Sequence, residues 1–221
     1  MINLKNLQSK EARISIIEDN EINREWLKLE LTESWNFKLV SADSTGRAGL
    51  ESIRNLNPEL VLLDFQLTDM TGLEVAKRIK AYDESIKIFM LTAHTDVSIV
   101  ERIIEDKNID AVAIKGSHYF ELNFIEAIKY ILNGGTYLEP SILNKLRQSN
   151  KHTGLRNLTK REFELFIQLN VGKTDQKIAE DLYVEVAHVK NMKSKIIKKI
   201  KHDDLDGLLV KLLENAVSEM M

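Results

Sequence analysis

The first 138 residues alternate between short apolar runs and longer amphipathic stretches. Strand-length apolar runs lie at 13–17, 37–40, 60–63, 86–91 and 111–114. Helical periodicity follows them at 22–31, 45–53, 72–82, 97–104 and 122–132. The run 60–63 is wholly apolar, as expected of a strand buried on both faces of a sheet. This alternation predicts an α/β domain with a doubly wound sheet of five parallel strands, the flavodoxin-like class.

The pattern changes after Gly134 and Gly135, a pair that predicts the end of a helix. Pro140 suits the first turn of another helix. The polar stretch 148–157 is the best linker candidate. Every later periodic segment is helical, at 160–169, 175–182, 186–200 and 205–217. We therefore predict an α/β domain at 1–138, a helix and linker at 139–157, and a small all-helical domain at 158–221.

Composition narrows the class of protein. Hydrophobic residues make up 43% and charged residues 29% of the chain, as in an ordinary globular protein. Cysteine is absent, which excludes disulfides and thiolate metal sites. No apolar run approaches the roughly twenty residues of a membrane span, and no secretory signal begins the chain. We expect a cytoplasmic protein without a membrane partner.

The net charge of −3 conceals an uneven distribution. Residues 151–221 hold 13 Lys and Arg against 11 Asp and Glu, whereas the rest of the chain holds 18 against 23. Six lysines and no acid lie within 190–201. Such a run suits a polyanion partner, although the charge alone favours a solvated helix face.

Polar side chains stand where the predicted strands end. Glu18 and Asp19 follow the first strand, and Asp64 follows the third. Thr92 ends the fourth strand and Lys115 follows the fifth. Taken one at a time, these residues need no functional role to explain them. An aspartate after a buried strand, for example, often only starts a loop. Because ligands bind at the carboxyl ends of parallel strands, together they predict one site, provided that the first, third and fourth strands are neighbours.

These groups suit phosphoryl transfer. The oxygens of Asp19 and Asp64 match the octahedral shell that Mg²⁺ prefers, and a metal relieves repulsion between carboxylates and a phosphoryl group. Asp64 can attack phosphorus to form an acyl phosphate. Thr92 can donate a hydrogen bond to a phosphoryl oxygen, and Lys115 supplies a compact positive charge.

The segments IIEDN, VLLDFQLTDMTGLE, MLTAH and AVAIKGS resemble the receiver domains of two-component response regulators over roughly residues 12–138. The resemblance implies Mg²⁺ as cofactor and a histidine kinase as phosphoryl donor. It also implies a role for each residue of the site: the phosphoacceptor Asp64, the acidic pair Glu18 and Asp19, the metal-binding backbone carbonyl of Gln66, the switch hydroxyl Thr92 and the phosphoryl-binding Lys115.

The segments LTKREFELF, GKTDQKIAEDL and VKNMKSKIIKKI resemble the helix-turn-helix domain of NarL/FixJ (LuxR-type) regulators over residues 158–212. Thr159 and Glu162 predict a capping box, and Thr174 predicts the cap of the next helix. Tyr183 stands in the connection, where the family commonly has glycine. The resemblance implies double-stranded DNA as a partner and a homodimer on that DNA.

The segment 186–200 reads as the recognition helix. At about 100° per residue, its inner side collects Val189, Met192, Ile196, Ile197 and Ile200. By resemblance, the residues that reach base edges are Lys190, Asn191 and Ser194. The expected phosphate contacts are Lys193, Lys195, Lys198, Lys199, Lys173 and Lys177. Of these, Lys193 projects towards the apolar side and would have to snorkel.

Three positions depart from the receiver pattern. Thr68 replaces a usual proline, Val112 replaces a usual aromatic residue, and Gly116 follows the lysine where many receivers have proline. Valine has no ring to swing between two states, so the difference between phosphorylated and unphosphorylated forms should shrink. We expect appreciable DNA binding without phosphate, unless Tyr119 or Phe120 substitutes for the missing ring.

The function predicted from sequence is a phosphorylation-controlled transcriptional regulator, not an enzyme. The alternative is a regulator whose helical domain contacts another protein. A phosphatase with an aspartyl nucleophile would need a second acidic residue two positions after Asp64. Gln66 stands there, so the sequence does not favour this alternative. The segment 205–217 suits a dimer interface or the core of its own domain.

Overall fold

The computed structural model describes residues 11–33, 37–149, 152–200, 209 and 211–212. Packing divides the chain into two compact units, residues 1–88 and 89–221. The division falls within the sheet, so the domain boundaries predicted at 138 and 157 stay predictions. Of the predicted helix 205–217, only residues 209, 211 and 212 are described, and they are helical. In the described parts of the chain, no helix is long and apolar enough to cross a bilayer.

Six strands form one sheet in the order β2-β1-β3-β4-β5-β6, and each pair with a described register is parallel. The strands are β1 (Ala12–Ile17), β2 (Phe37–Asp43), β3 (Leu60–Asp64), β4 (Lys87–Thr92), β5 (Ala111–Ile114) and β6 (Tyr137–Leu138). The predicted doubly wound, flavodoxin-like class is confirmed. The sixth strand was not predicted, because two residues are too few to show a period of two.

The first unit contains β1 to β3 and three helices, α1 (Glu21–Thr32), α2 (Gly46–Leu56) and α3 (Gly72–Tyr82). All of β3 is buried, as its apolar sequence predicts. Each helix begins with a side-chain cap, from Asn20, Thr45 and Thr71 respectively. A cap satisfies an amide that the first turn leaves without a helical partner. These caps therefore set where each helix starts after its strand.

The second unit contains most of β4, all of β5 and β6, and seven helices in its described residues. These are α4 (Val97–Ile104), α5 (His118–Leu132), α6 (Pro140–Gln148), α7 (Thr153–Arg156), α8 (Lys160–Asn170), α9 (Asp175–Asp181) and α10 (Val186–Ile200). The predicted capping box at Thr159 and Glu162 is present, and Thr174 caps α9. Gly134, at φ of +89°, lies just beyond α5 as predicted, and Gly172, at φ of +76°, lies just beyond α8.

Aromatic rings fill the core of the second unit. Phe89 on β4 packs edge-on against Phe120 and Tyr137, with ring centroids 6.0 and 5.7 Å apart. Phe120 also packs against Phe124 at 5.2 Å. Edge-to-face pairs at such distances contribute about 0.5–1.5 kcal/mol beyond their buried area. The cluster ties α5 and the short β6 to β4.

Helix α8 packs against β6 through a buried side-chain amide. Asn170 accepts a hydrogen bond from the backbone N–H of Leu138 at 2.9 Å, and its amide donates to the carbonyl of the same residue. The side chain thus pairs both backbone groups at the outer edge of β6, as another strand would. Nearby, the ring of Tyr130 lies against Gly172, where a Cβ atom would come within 2.5 Å of it.

The connection between α9 and α10 carries a backbone that favours glycine. Tyr183 has φ of +54° and is 94% exposed, so little packing would be lost with its ring. Left-handed backbone costs a residue with a Cβ atom about 1–2 kcal/mol.

Tyr183→Gly should therefore raise the free energy of unfolding by about 0.5–1 kcal/mol, after the entropy of the more flexible unfolded chain is subtracted. Urea titration measures this change. Tyr183→Ala is the control and should give no such gain, since alanine keeps the Cβ atom. Equal stabilisation by both substitutions would contradict the explanation.

Candidate functional site

Three carboxylates meet at the carboxyl ends of β1 and β3. The two strands are parallel neighbours, and their register places Ile17 beside Leu63. The next residues along the chain, Glu18 with Asp19 and Asp64, therefore come together. Oxygen atoms of all three lie within 4.8 Å of one another. Glu18 and Asp64 are buried, whereas Asp19 is partly exposed.

The start of α1 holds the two acids after β1. The side chain of Asn23 donates to Oε1 of Glu18 at 3.3 Å. Arg24 donates to the backbone carbonyls of Glu18 and Asp19, at 2.8 and 3.3 Å. The N–H of Glu18 donates to the carbonyl of Asp43 at 3.0 Å. The short turn from β1 into α1 is thus fixed from both sides, and with it the direction of the two carboxylates.

A tight loop supports Asp64. The N–H of Gln66 donates to Oδ1 of Asp64 at 3.3 Å, and the loop closes through a hydrogen bond of 2.7 Å from Gly72 N–H to the carbonyl of Phe65. A Cβ atom on Gly72 would lie 2.3 Å from the backbone oxygen of Asp64. Only glycine permits this approach of α3 to the end of β3.

The donor set fits a hard divalent cation. All three groups offer carboxylate oxygens, the ligands that Mg²⁺ prefers, and none offers the sulfur that softer metals select. Clustered carboxylates in a buried position also favour a cation that offsets their mutual repulsion. The chemistry of these residues therefore agrees with a magnesium site.

Thr92 and Lys115 belong to the second unit, at the ends of β4 and β5. The N–H of Lys115 donates to the carbonyl of Thr92 at 2.8 Å, so the two residues are neighbours. Thr92 is fully buried, and its hydroxyl accepts the N–H of His94 at 3.0 Å. A turn closed by a hydrogen bond of 3.3 Å from Ser117 N–H to the carbonyl of Ile114 presents the lysine. The roles predicted for these residues and for Gln66 stay predictions.

The departures from the receiver pattern have distinct surroundings. Val112 is fully buried and pairs with Leu138 of β6. Phe120 is buried in the aromatic cluster, whereas Tyr119 is 40% exposed. Gly116 has φ of +71° at the third position of the turn, the conformation that favours glycine in a type II turn. The glycine is thus explained by this turn.

Helix α10 divides into two faces. The five apolar residues predicted for its inner side are all buried. The exposed face carries all three predicted base contacts and two of the predicted phosphate contacts, Lys190, Asn191, Ser194, Lys195 and Lys198. Cations and hydrogen-bonding side chains thus occupy one exposed surface of the helix, which is the composition that a DNA groove requires.

Four of the lysines predicted to contact phosphate form ion pairs with acids of the same unit. Lys193 is buried, with its ammonium 3.0 Å from Asp175. Its ammonium pairs with an acid on α9, and its predicted contact with phosphate stays a prediction. The other three pairs are Lys199 with Glu162 at 2.7 Å, Lys173 with Asp181 at 2.6 Å, and Lys177 with Glu180 and Asp181 at 3.3 Å.

The ion pairs shift the pKa of their members. Hydrogen bonds to Glu180 and Asp181 raise the pKa of Lys177. Burial works to raise the pKa of Glu162, but hydrogen bonds from Lys199 and Thr159 outweigh it and hold that pKa below its usual range. Both shifts favour the charged forms of these side chains.

The sequence is similar to those of known regulatory proteins. Residues 14–117 match the response regulator receiver domain. The chain is 25% identical to the transcriptional regulatory protein DegU of Brevibacillus brevis, over 95% of this chain and 96% of that protein. It is 26% identical to the response regulator VraR of Staphylococcus saprophyticus, over 87% of this chain and 91% of that one.

Solved structures show the same fold. A LuxR-family response regulator from Aurantimonas covers 63% of this chain and 97% of its own, with a TM-score of 0.58 and 22% identity. The RcsB response regulator of Salmonella typhimurium covers 95% of this chain and 99% of its own, with a TM-score of 0.59 and 16% identity. An RcsB–DNA complex matches 96% of this chain and all of that chain, with a TM-score of 0.59 and 18% identity.

The receiver match and the three carboxylates at the strand ends define the class, a protein with a receiver domain. Residues 14–117 belong to the response regulator receiver family, and the relatives that align with nearly the whole chain are a transcriptional regulatory protein and a response regulator. The predicted family is confirmed.

The close approach of Gly72 to Asp64 generates a test of the acidic cluster. Gly72→Ala should push the backbone of Asp64 out of line with Glu18 and Asp19, and so raise the dissociation constant for Mg²⁺ about 10-fold. Isothermal titration with MgCl₂ measures this constant, and thermal unfolding shows that the variant is folded. An unchanged constant in a folded variant would mean that the loop does not hold Asp64 in place.

Proposed function

We propose that the protein is a DNA-binding transcriptional regulator controlled by phosphorylation of Asp64, with a histidine kinase as phosphoryl donor. The observation that carries the proposal is the convergence of Glu18, Asp19 and Asp64 within 4.8 Å, inside the segment that matches the receiver domain. It is a regulator and not an enzyme, and it acts in the cytoplasm.

The chemistry follows from the residues present. An oxygen of Asp64 bonds to phosphorus while the bond from phosphorus to the donor's histidine nitrogen breaks, and that nitrogen takes up a proton. Glu18, Asp19, Asp64 and the carbonyl of Gln66 would hold Mg²⁺, which supplies positive charge against the phosphoryl oxygens.

Two further residues would act on the phosphoryl group. Lys115 would neutralise a phosphoryl oxygen, and the Thr92 hydroxyl would donate a hydrogen bond to another. Support comes from their place at the carboxyl ends of neighbouring strands β4 and β5, since ligands of parallel sheets bind at such ends.

DNA would be read by the exposed face of α10. Lys190, Asn191 and Ser194 lie near its middle and are candidates for base edges, while Lys195 and Lys198 suit phosphates. A homodimer would place two such helices on one duplex. A helical part that contacts only another protein is not favoured, because the two relatives that align with nearly all of this chain are a transcriptional regulatory protein and a response regulator.

Phosphorylation provides the first test. Acetyl phosphate with Mg²⁺ should label the chain, and Asp64→Asn should abolish the label because it removes the attacking oxygen. Asp19→Asn should weaken labelling through loss of a metal ligand. Phosphate-affinity electrophoresis separates the two forms, and Asp69→Asn is a control, since Asp69 instead binds the backbone of Gly46 and Arg47. Undiminished labelling of Asp64→Asn would show that the phosphoacceptor is another residue.

DNA binding provides the second test. Lys198→Ala should weaken binding to all sequences and lower the slope of log affinity against log salt by about one unit. Asn191→Ala should instead relax sequence preference, at a cost of about 1–3 kcal/mol at one base position. Fluorescence anisotropy at two salt concentrations, on genomic and random duplexes, measures both effects. Lys77→Ala, an exposed lysine on α3, is the matched control. Equal, weak binding to both duplexes by the unsubstituted protein would exclude sequence-specific recognition.

A further inference from the structure

Glu139 is a fully buried carboxylate next to the turn that carries Lys115. It immediately precedes α6, but its side chain does not cap that helix. Oε2 instead accepts the backbone N–H of Ile114 at 2.6 Å, and Oε1 accepts the hydroxyl of Ser117 at 2.8 Å. One carboxylate therefore holds the two residues that begin and end the Lys115 turn.

The same residue has two further anchors, one at its carboxylate and one at its backbone. Oε1 also accepts the hydroxyl of Ser141 in the first turn of α6, at 2.6 Å. The backbone N–H of Glu139 donates to the carbonyl of Val112 on β5 at 3.0 Å. Three donors to one buried carboxylate offset much of the cost of removing it from water. The arrangement is therefore stable as a unit, and it links β5, the turn and α6.

Ser117 extends this network into α5. Its hydroxyl donates to Glu139 while it accepts the N–H of Phe120 at 3.0 Å, as the N-cap of α5. Between the two residues that Glu139 binds lie only Lys115 and Gly116, and the glycine has a left-handed backbone. With both ends of so short a turn fixed, the direction in which the Lys115 stem leaves the backbone is fixed as well.

Helix α6 connects this turn to the helical part of the second unit. Near its other end, Lys145 donates to the carbonyl of Thr95 at 2.8 Å, in the loop after β4. Arg147 donates to the carbonyl of Leu158 at 2.8 Å, and its guanidinium lies 4.4 Å from the ring centre of Phe163 on α8. A shift of Glu139 would thus move the helix that contacts α8.

We propose that Glu139 is a positioning residue for phosphoryl transfer, which holds the Lys115 turn in place and ties its position to α6. The inference rests on the proposed phosphorylation of Asp64. Glu139 touches no reacting atom, so its effect would pass entirely through Lys115. Misplacing a charged group by about 1 Å can cost as much as 100-fold in rate, which makes the effect measurable.

The test is a double-mutant cycle on the full chain, with acetyl phosphate and Mg²⁺ as probes. Glu139→Ala should slow labelling of Asp64 about 10-fold or more. Glu139→Gln, which keeps the volume and one acceptor oxygen, should lose less. In a Lys115→Ala background, Glu139→Ala should cause little further loss, because the two residues act as one unit. The dissociation constant for Mg²⁺ should stay unchanged, since the three carboxylates belong to other strands.

Glu162→Gln is the matched control, because it neutralises another buried glutamate that pairs with Lys199 and should leave labelling unchanged. Labelling of both Glu139 variants at the unsubstituted rate would overturn the role of Glu139. So would an equal loss in the Lys115→Ala background or a weakened Mg²⁺ affinity, either of which indicates general destabilisation. An unsubstituted chain that takes no label would overturn the proposed phosphorylation itself, and the role of Glu139 with it.

Discussion

Mutual repulsion among three carboxylates is the constraint on which the first unit depends. Glu18, Asp19 and Asp64 come within 4.8 Å although two of them are buried, and a buried charge is costly unless it is paired or coordinated. The parallel pairing of β1 with β3 brings them together, and the turn into α1 and the Gly72 loop hold them. A divalent cation would offset the repulsion that remains, which is why we place the proposed metal and phosphoryl chemistry at this edge of the sheet.

The second unit also contains buried polar groups, and hydrogen bonds and ion pairs within the protein stabilise them. Glu139, Asn170 and Glu162 are buried polar groups, and each has specific partners. Because an unpaired buried polar group costs about 1–3 kcal/mol, such networks accept few arrangements. They fix β6, α6 and α8 in position, whereas apolar contacts alone would tolerate small shifts. The elements that join the Lys115 turn to α8 are therefore held by directional bonds.

Several lysines of the helical part form ion pairs within the protein, so fewer of its positive charges face solvent alone than its composition indicates. Lysines 193, 199, 173 and 177 are paired with acids of the same unit, while Lys190, Lys195 and Lys198 lie on the exposed face of α10. A chain with a net charge of −3 would then rely on a small cationic surface for encounter with DNA. Two of these pairs stabilise the shape of that surface, because Lys193 joins α10 to α9 and Lys199 joins α10 to α8.

Local patterns determined much of this protein. The apolar runs, the caps at Thr159 and Thr174, the glycines after α5 and α8, and the acids at the strand ends could all be read from the sequence, because each depends on neighbours within a few residues. The tertiary structure decided the rest. The pairing of β6 with β5, the acid beside Lys193 and the bond from Ile114 to Glu139 join residues that are 18 to 26 positions apart. The periodicity of apolar residues along the sequence does not predict such a contact, because the contact forms only when folding brings distant segments together.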